Sequence, residues 1–417
     1  MIHKTLYLCY FGLRQPLVQT QVLPYLREIA KDDVKVYLLT FEPEKWTPAE
    51  VDETRRKLAG EGITWDFLAY HKTPSVPATL YDIFCGTMFA LRLARREKID
   101  LIHARVHVPA IMGLLAKKLS RQKLKLLFDI RGFTPEEYTD AGVWKPNGSI
   151  YYVFKWVEKK IFRGSDGFVV LTEKAREVLF PESAGEGFDK LGRPVEVIPC
   201  CVDFEKRFGS DRETIRERAR AELNLDGRLV ILHLGALGGL YLTGAIADFL
   251  EAARRRRPET FAMFLTQTDP DLIVPLLHEK GFTGDDFFVG RVAPEDVYRY
   301  LSASDVSLSF VKAGYATISR SPTKIPEYLA AGLPIVSNRG VGDVDELIST
   351  EKVGVLLDLD PNGYAGALEE ALLLKDEAGF AARCIACAKK RFDLEQVGGS
   401  RYRSLYRKLL GKRDADQ

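Results

Sequence analysis

Two hydrophobic rhythms succeed each other along this chain almost without pause. Short runs rich in β-branched and aromatic residues are followed by longer stretches in which apolar residues recur three and four apart. The first short run is Thr5–Phe11; a helical pattern from about Thr20 to Ala30 and the β-rich run Val34–Phe41 follow it. Further strands are predicted at Thr64–Leu68, Leu101–His103, Leu124–Asp129, Gly167–Leu171 and Val195–Ile198. Helices are predicted near Ala78–Lys98, Pro109–Ser120, Ile150–Phe162 and Glu173–Phe180. Such alternation builds one doubly wound parallel sheet.

The rhythm breaks at Pro199-Cys-Cys-Val-Asp203, crosses a charged helical stretch at Asp211–Leu223, and restarts at Leu229–Leu234. It continues through Phe261–Thr266, Phe287–Val289, Val306–Phe310, Pro334–Ser337 and Gly354–Leu356, which predicts a second sheet of the same kind. The expected fold is therefore α/β, with two Rossmann-like doubly wound parallel-sheet domains facing across a cleft. Residues 1–203 form the first domain and 204–392 the second; 393–417 carry a basic amphipathic helix, Leu394–Leu410, expected to pack back on the first domain. Ligands of open α/β sheets bind at the carboxyl ends of strands where the strand order reverses, so two facing sheets suit a two-substrate transferase.

Composition narrows the class further. The 417 residues are 46% hydrophobic, 28% charged and 11% aromatic, as in a globular protein with ample core material. A net charge of +2, from 60 basic and 58 acidic residues, asks for no polyanionic partner, and no nucleic acid is expected. Six cysteines are too few for a disulfide framework at this length, and the apolar run Leu6–Leu13 is too short for a signal or membrane span. A cytoplasmic location is expected. Cys384-x-x-Cys387 has no second pair and no nearby His, so it reads as coincidence in a helix.

The most informative segment is Ser321-Pro-Thr-Lys-Ile-Pro-Glu-Tyr-Leu-Ala-Ala-Gly-Leu-Pro334, where a polar loop after a strand enters a short helix. N–H groups near Ser321, Thr323 and Lys324, with the Lys324 ammonium, would favour a diphosphate there. A lysine is otherwise at the electrostatically wrong end of a helix. Glu327, one turn on, is placed to accept hydrogen bonds from a ribose; its plain alternative is a surface glutamate in a first helical turn. Gly235 and Gly238 form a strand-to-helix turn that admits a sugar or phosphate, and Gly12 ends the first strand in the same way; tight-turn packing is the rival explanation for all three. His103, Arg105 and Arg131 end strands of the first domain and are acceptor-side candidates, with a core histidine and a structural ion pair as the alternatives for the first two.

These segments resemble glycosyltransferase family 4, in the branch whose donor loop reads Ser-Pro-Thr-Lys-x-x-Glu-Tyr-Leu-Ala-x-Gly-x-Pro. Gly235-Ala-Leu-Gly238, Gly290-Arg-Val-Ala-Pro-Glu-Asp-Val, Asn338-Arg-Gly-Val-Gly-Asp343 and, in the first domain, Gln19-Thr-Gln-Val-Leu-Pro-Tyr and Phe128-Asp-Ile-Arg-Gly132 extend the resemblance over nearly the whole chain. It implies a GT-B fold and retaining transfer from a nucleotide sugar to a glycan or lipid-linked acceptor in cell-surface polysaccharide or glycoconjugate synthesis. No metal or other cofactor is implied, and the Asp-x-Asp triples at 269–271, 358–360 and 414–416 are weak metal signals. Lys324, Glu327 and Arg105 become the catalytic candidates, Arg291 a donor-side cation near the nucleoside. Two departures favour the alternative of a non-catalytic nucleotide- or glycan-binding protein. The usual Glu-x7-Glu pair keeps only Glu327, its first place being Ser319, and no Arg/Lys pair follows Gly238. Basic helical stretches containing Arg92, Arg95 and Arg96, Lys117 and Lys118, and Lys155, Lys159, Lys160 and Arg163 read first as cations at helix C-termini. The alternative is loose peripheral docking on an anionic inner membrane face.

Overall fold

Strand cores in this protein are continuous apolar runs rather than alternating ones, because each parallel sheet is covered by helices on both faces. The computed structural model describes residues 3–204 and 212–411. It divides into two compact units, one formed by the chain up to Pro199 together with the segment from Leu394, the other by Cys200–Asp393.

In the first unit the elements are β1 His3–Cys9, α1 Pro16–Gln21, α2 Leu23–Ala30, β2 Val34–Glu42, α3 Pro48–Gly60, β3 Ile63–Ala69, α4 Ser75–Glu97 and β4 Leu101–Arg105. They continue with α5 His107–Leu119, β5 Lys125–Asp129, α6 Thr134–Asp140, α7 Ser149–Gly164, β6 Gly167–Val170, α8 Glu173–Leu179 and β7 Val195–Val197. The seven strands lie in the order β3-β2-β1-β4-β5-β6-β7, all neighbours parallel. The order reverses between β1 and β4.

The second unit holds α9 Arg212–Glu222, β8 Leu229–Leu234, α10 Thr243–Arg256, β9 Thr260–Leu265, α11 Val274–Glu279, β10 Phe287–Gly290, α12 Val297–Ala303 and β11 Val306–Ser309. After these come α13 Lys324–Ala330, β12 Ile335–Asn338, α14 Val344–Glu351, β13 Gly354–Leu357, α15 Pro361–Asp376 and α16 Phe380–Phe392. Its six parallel strands run β10-β9-β8-β11-β12-β13, with the reversal between β8 and β11. Cys384 and Cys387 are buried on α16, where burial pushes both thiols up to about 12, so they pack as small apolar groups.

The last helix, α17 Ser400–Leu410, returns to the first unit. It is entered through a wide helical turn at Leu394–Gly399 and packs beside α2, burying Tyr402, Leu405, Tyr406 and Leu409. Arg403 fixes the register by an ion pair of 2.6 Å to buried Glu28.

Candidate functional site

The reversal in the second sheet gathers three segments. Beyond β8 the chain turns through Gly235, Gly238 and Gly239 at φ 108°, 73° and 61°, values that side chains with a Cβ rarely adopt. Thr243 Oγ1 closes the turn by accepting from the Gly238 N–H at 2.9 Å. The Lys312 N–H donates to the Leu240 carbonyl at 2.8 Å, tying the turn to the segment that leaves β11. From that segment a short turn at Ala316–Ser319 leads into α13. Tyr328 clamps α13 across the reversal: its hydroxyl accepts from the Leu234 N–H at 2.8 Å and donates to the Leu308 carbonyl at 3.1 Å.

Lys324 stands where these segments meet. Its side chain is buried, 3% exposed, and among the described residues no carboxylate lies within ion-pair distance. Nζ is 3.5 Å from His233 Nε2 and 4.6 Å above the Tyr241 ring, and Cε is 3.6 Å from the point a Cβ on Gly235 would occupy. Burial without a counter-charge pushes its pKa from 10.5 down to about 7. His233 is itself buried, 3.1 Å from the Ala236 carbonyl through the same Nε2, and burial followed by the field of Lys324 holds it neutral, well below the ordinary imidazole range. A buried ammonium is costly unless paired, and the partner that would relieve the cost here is an anion.

Glu327 is half-buried one turn beyond Lys324. Ser321 is also half-buried and its Oγ accepts from the Cys200 N–H at 3.1 Å, whereas Thr323 is exposed at the N-cap of α13 and makes no side-chain cap. Arg291 is not brought to Lys324: it follows the edge strand β10, two strands from β8, and its exposed guanidinium donates to the Gln267 carbonyl at 3.2 Å. Asp269 and Asp360 of the acidic triples are helix caps, accepting from the N–H groups of Asp271 and Asn362. The triple at 414–416 lies outside the described residues.

In the first unit the reversal carries a buried ionic network. Arg105 and Asp129 are register partners on β4 and β5, and both are buried. Asp129 Oδ2 accepts from Arg131 Nε at 2.9 Å and from the Tyr402 hydroxyl at 3.1 Å; His103 Nε2 lies 3.5 Å away and Arg105 Nη1 3.7 Å. Arg131 Nη2 also donates to the Tyr402 hydroxyl at 2.9 Å, and Arg105 Nη1 to the Gln21 carbonyl at 3.3 Å. Burial alone would raise the Asp129 carboxyl, but Arg131, His103 and Arg105 outweigh it and hold the group well below the usual carboxylate range. His103 is fully buried, with Nδ1 2.8 Å from the Tyr406 hydroxyl. Among the described residues, Arg105 Nε and Asp129 Oδ1 are buried and have no hydrogen-bond partner.

Val106, between Arg105 and His107, has φ 65° and ψ 178°, a region normally left to glycine and strained for a β-branched residue. His107 then begins α5, buried, with Nε2 3.0 Å from Glu158 and Nδ1 2.9 Å from the Thr134 hydroxyl. Gly12 is buried in its loop; a Cβ there would stand 2.8 Å from Pro43 Cδ and 3.0 Å from Glu42 Oε2, which accounts for the glycine by packing alone. Sequence reasoning did not single out His233, Asp129 or Tyr402. A visible signal existed for His233, the one polar residue inside the apolar run Leu229–Leu234.

The pattern of Glycosyltransferase Family 4 matches residues 18–206, and that of Glycosyl transferases group 1 matches residues 230–373. Each half of this chain carries a glycosyltransferase domain. Over 185 residues the chain is 29% identical to spore coat protein SA of Bacillus subtilis (strain 168), a stretch that takes in 40% of this chain and 46% of that protein, less than half its length. A glycosyltransferase from Rickettsia africae ESF-5 superposes with a TM-score of 0.69 at 14% identity, covering 99% of each chain. HepE of Anabaena, solved in complex with UDP and glucose, superposes with a TM-score of 0.66 at 17% identity, covering 97% of this chain and 99% of that one. These likenesses establish the GT-B fold of this chain: two parallel-sheet Rossmann-like units of seven and six strands.

Proposed function

We propose that this glycosyltransferase moves a sugar from a nucleotide diphosphate sugar, held by the second unit, to a glycan or lipid-linked acceptor held by the first, in cell-surface glycoconjugate synthesis on the cytoplasmic side. The observation that carries this reading is Lys324, a buried amine beside a glycine turn at a sheet reversal, with no carboxylate at ion-pair distance among the described residues. Diphosphate oxygens would supply the missing counter-charge, and Lys324 would stabilise the charge that builds on the leaving group, an effect typically of about 3 kcal/mol for one positioned donor or cation. Glu327 takes the ribose hydroxyls, with Ser321, Thr323, Gly235 and Gly238 shaping the loop around the donor. That the Anabaena relative holds UDP supports the donor class. Arg291 is the weakest member of this set, since its guanidinium is already engaged at the sheet edge.

Transfer proceeds with retention and without a metal. The acceptor oxygen bonds to the anomeric carbon as the bond from that carbon to the phosphate oxygen breaks, and the acceptor proton passes to the departing phosphate on the same face. Arg105 and Arg131 supply positive charge at the acceptor side. Ser319 in place of a carboxylate, and the missing basic pair after Gly238, favour the second reading, a protein that binds nucleotide or glycan without turnover.

A thermal-shift series against UDP, GDP, ADP and their sugar conjugates, with wild type and Glu327→Ala, tests the donor site, because a ligand bound only by the folded state stabilises it. Selective stabilisation lost in the variant is expected. No shift with any nucleotide removes the donor reading; a shift without sugar transfer selects the non-catalytic one.

A further inference from the structure

Helices α4, α5 and α7 each connect one parallel strand to the next in the same direction across the sheet, so right-handed crossovers place all three on one face of the first unit. Their N-termini share the edge where the strands end, and α5 packs between α4 and α7. The outward stripes of the two flanking helices follow one gradient. On α4 the first exposed turns carry Leu80, Tyr81 and Phe84, and the last carry Arg92 and Arg95. On α7 they carry Tyr152, Val153 and Trp156, then Lys159 and Arg163.

The apolar residues are well out in solvent, Phe84 and Val153 at 62% and Trp156 at 60%. Large apolar side chains of the second unit, such as Leu272 and Leu373, are exposed singly, which needs no explanation. Arg92, Arg95, Lys159 and Arg163 have no carboxylate partner among the described residues. A helix dipole accounts for cations in a last turn; it does not account for aromatic and branched residues exposed together in the first turns.

We propose that the outward face of α4 and α7 is a docking surface for an anionic lipid bilayer. The aromatic N-terminal turns enter the headgroup boundary and the basic C-terminal turns lie against the phosphates. Tyr and Trp suit that boundary because each joins an apolar ring to a polar tip, and an amphipathic surface rich in Lys and Arg binds anionic lipid in proportion to both buried apolar area and charge. The apolar end lies at the sheet edge that also bears Arg105 and Arg131, so a lipid-borne acceptor would arrive beside them. The surface itself does not depend on the donor reading.

Flotation of the full chain with vesicles of phosphatidylcholine alone, or mixed with phosphatidylglycerol, tests this at low salt. The wild type is expected to partition onto the mixed vesicles at least about 25-fold more strongly than onto the neutral ones, since each basic residue near the surface contributes about fivefold and two engaged residues already give that factor. Phe84→Asp with Trp156→Asp abolishes flotation, Lys159→Glu with Arg163→Glu removes the preference for anionic lipid, and Leu373→Asp on the second unit changes neither. Far-ultraviolet circular dichroism and nucleotide thermal shifts accompany each variant, so loss of folding or of the donor site is read separately. A wild type that floats with neither vesicle, or variants that float like it, overturns the proposal. Self-association of the wild type in sedimentation velocity, lost in Phe84→Asp with Trp156→Asp and unaccompanied by flotation, overturns it in favour of a second copy of the chain.

Discussion

Nucleotide binding should take up a proton, and the amount follows from Lys324. Without ligand the amine titrates near 7 because burial strips its hydration and, among the described residues, no carboxylate replaces it. A diphosphate within contact restores at least the ordinary lysine value of 10.5. Between those limits the complex holds one proton more than the free protein. At pH 8 the free amine is about one-tenth protonated, so binding takes up about 0.9 proton, and the apparent Kd rises about tenfold for each pH unit above 7. Below pH 7 this residue contributes no slope. Beside Lys324, His233 is held neutral in this range, and the second ionisation of a terminal phosphate, near 6, is essentially complete at about pH 8. Calorimetric titration with UDP at pH 8, in two buffers of different ionisation enthalpy, reads the proton count directly. Absence of uptake, with a Kd flat from pH 6.5 to 9, would refute Lys324 as the anion contact.

Removing the amine should stabilise the empty protein. A base whose pKa is depressed on folding bears its full cost below the folded value, so the cost is complete at acid pH, begins to fall near pH 7 and has vanished above 10.5. Lys324→Met should therefore raise stability near neutral pH by up to about 4 kcal/mol while abolishing nucleotide shifts, and the gain should shrink at pH 9. Val106→Gly should relieve the strain at φ 65° and raise the urea midpoint by the equivalent of about 1–2 kcal/mol; an unchanged midpoint would mean the backbone there is relaxed. Tyr402→Phe leaves Asp129 without one of its donors and should cost about 1–3 kcal/mol in the same urea titration, with nucleotide binding unchanged.

Periodicity reveals the strands of both sheets and most of the helices that separate them, because buried parallel strands are dense apolar runs between polar turns. Where it fails, a specific local contact decides. The single helix expected over Thr20–Ala30 is two helices, broken at Val22 just before Pro24. Helix α3 escaped notice for want of an apolar stripe, although its capping box between Thr47 and Glu50 is written in the sequence. β4 runs two residues past His103, because Asp129 on the neighbouring strand gives Arg105 a counter-charge inside the sheet. That pairing joins residues 24 positions apart and has no local signature. Lys324 is readable from its motif, but its lack of a carboxylate at ion-pair distance among the described residues is a property of the fold.

That isolation bears on the absent basic pair after Gly238. Two exposed cations near a diphosphate are screened by water and salt; one cation in a dry site interacts more strongly, at a cost to the empty protein that the ligand removes. The two arrangements differ in one measurable respect. Arginine cannot lose its proton in a protein, whereas a buried lysine can, so a site resting on Lys324 alone is sensitive to pH. Lys324→Arg should therefore flatten the Kd profile between pH 7 and 9. It should also bind more weakly at pH 7, since the larger guanidinium must fit against Tyr241 and a glycine turn that already lies 3.6 Å, at the position of a Gly235 Cβ, from the lysine Cε. If Lys324→Arg keeps the tenfold loss per pH unit, the titrating group is elsewhere and the single-cation account of this donor site fails.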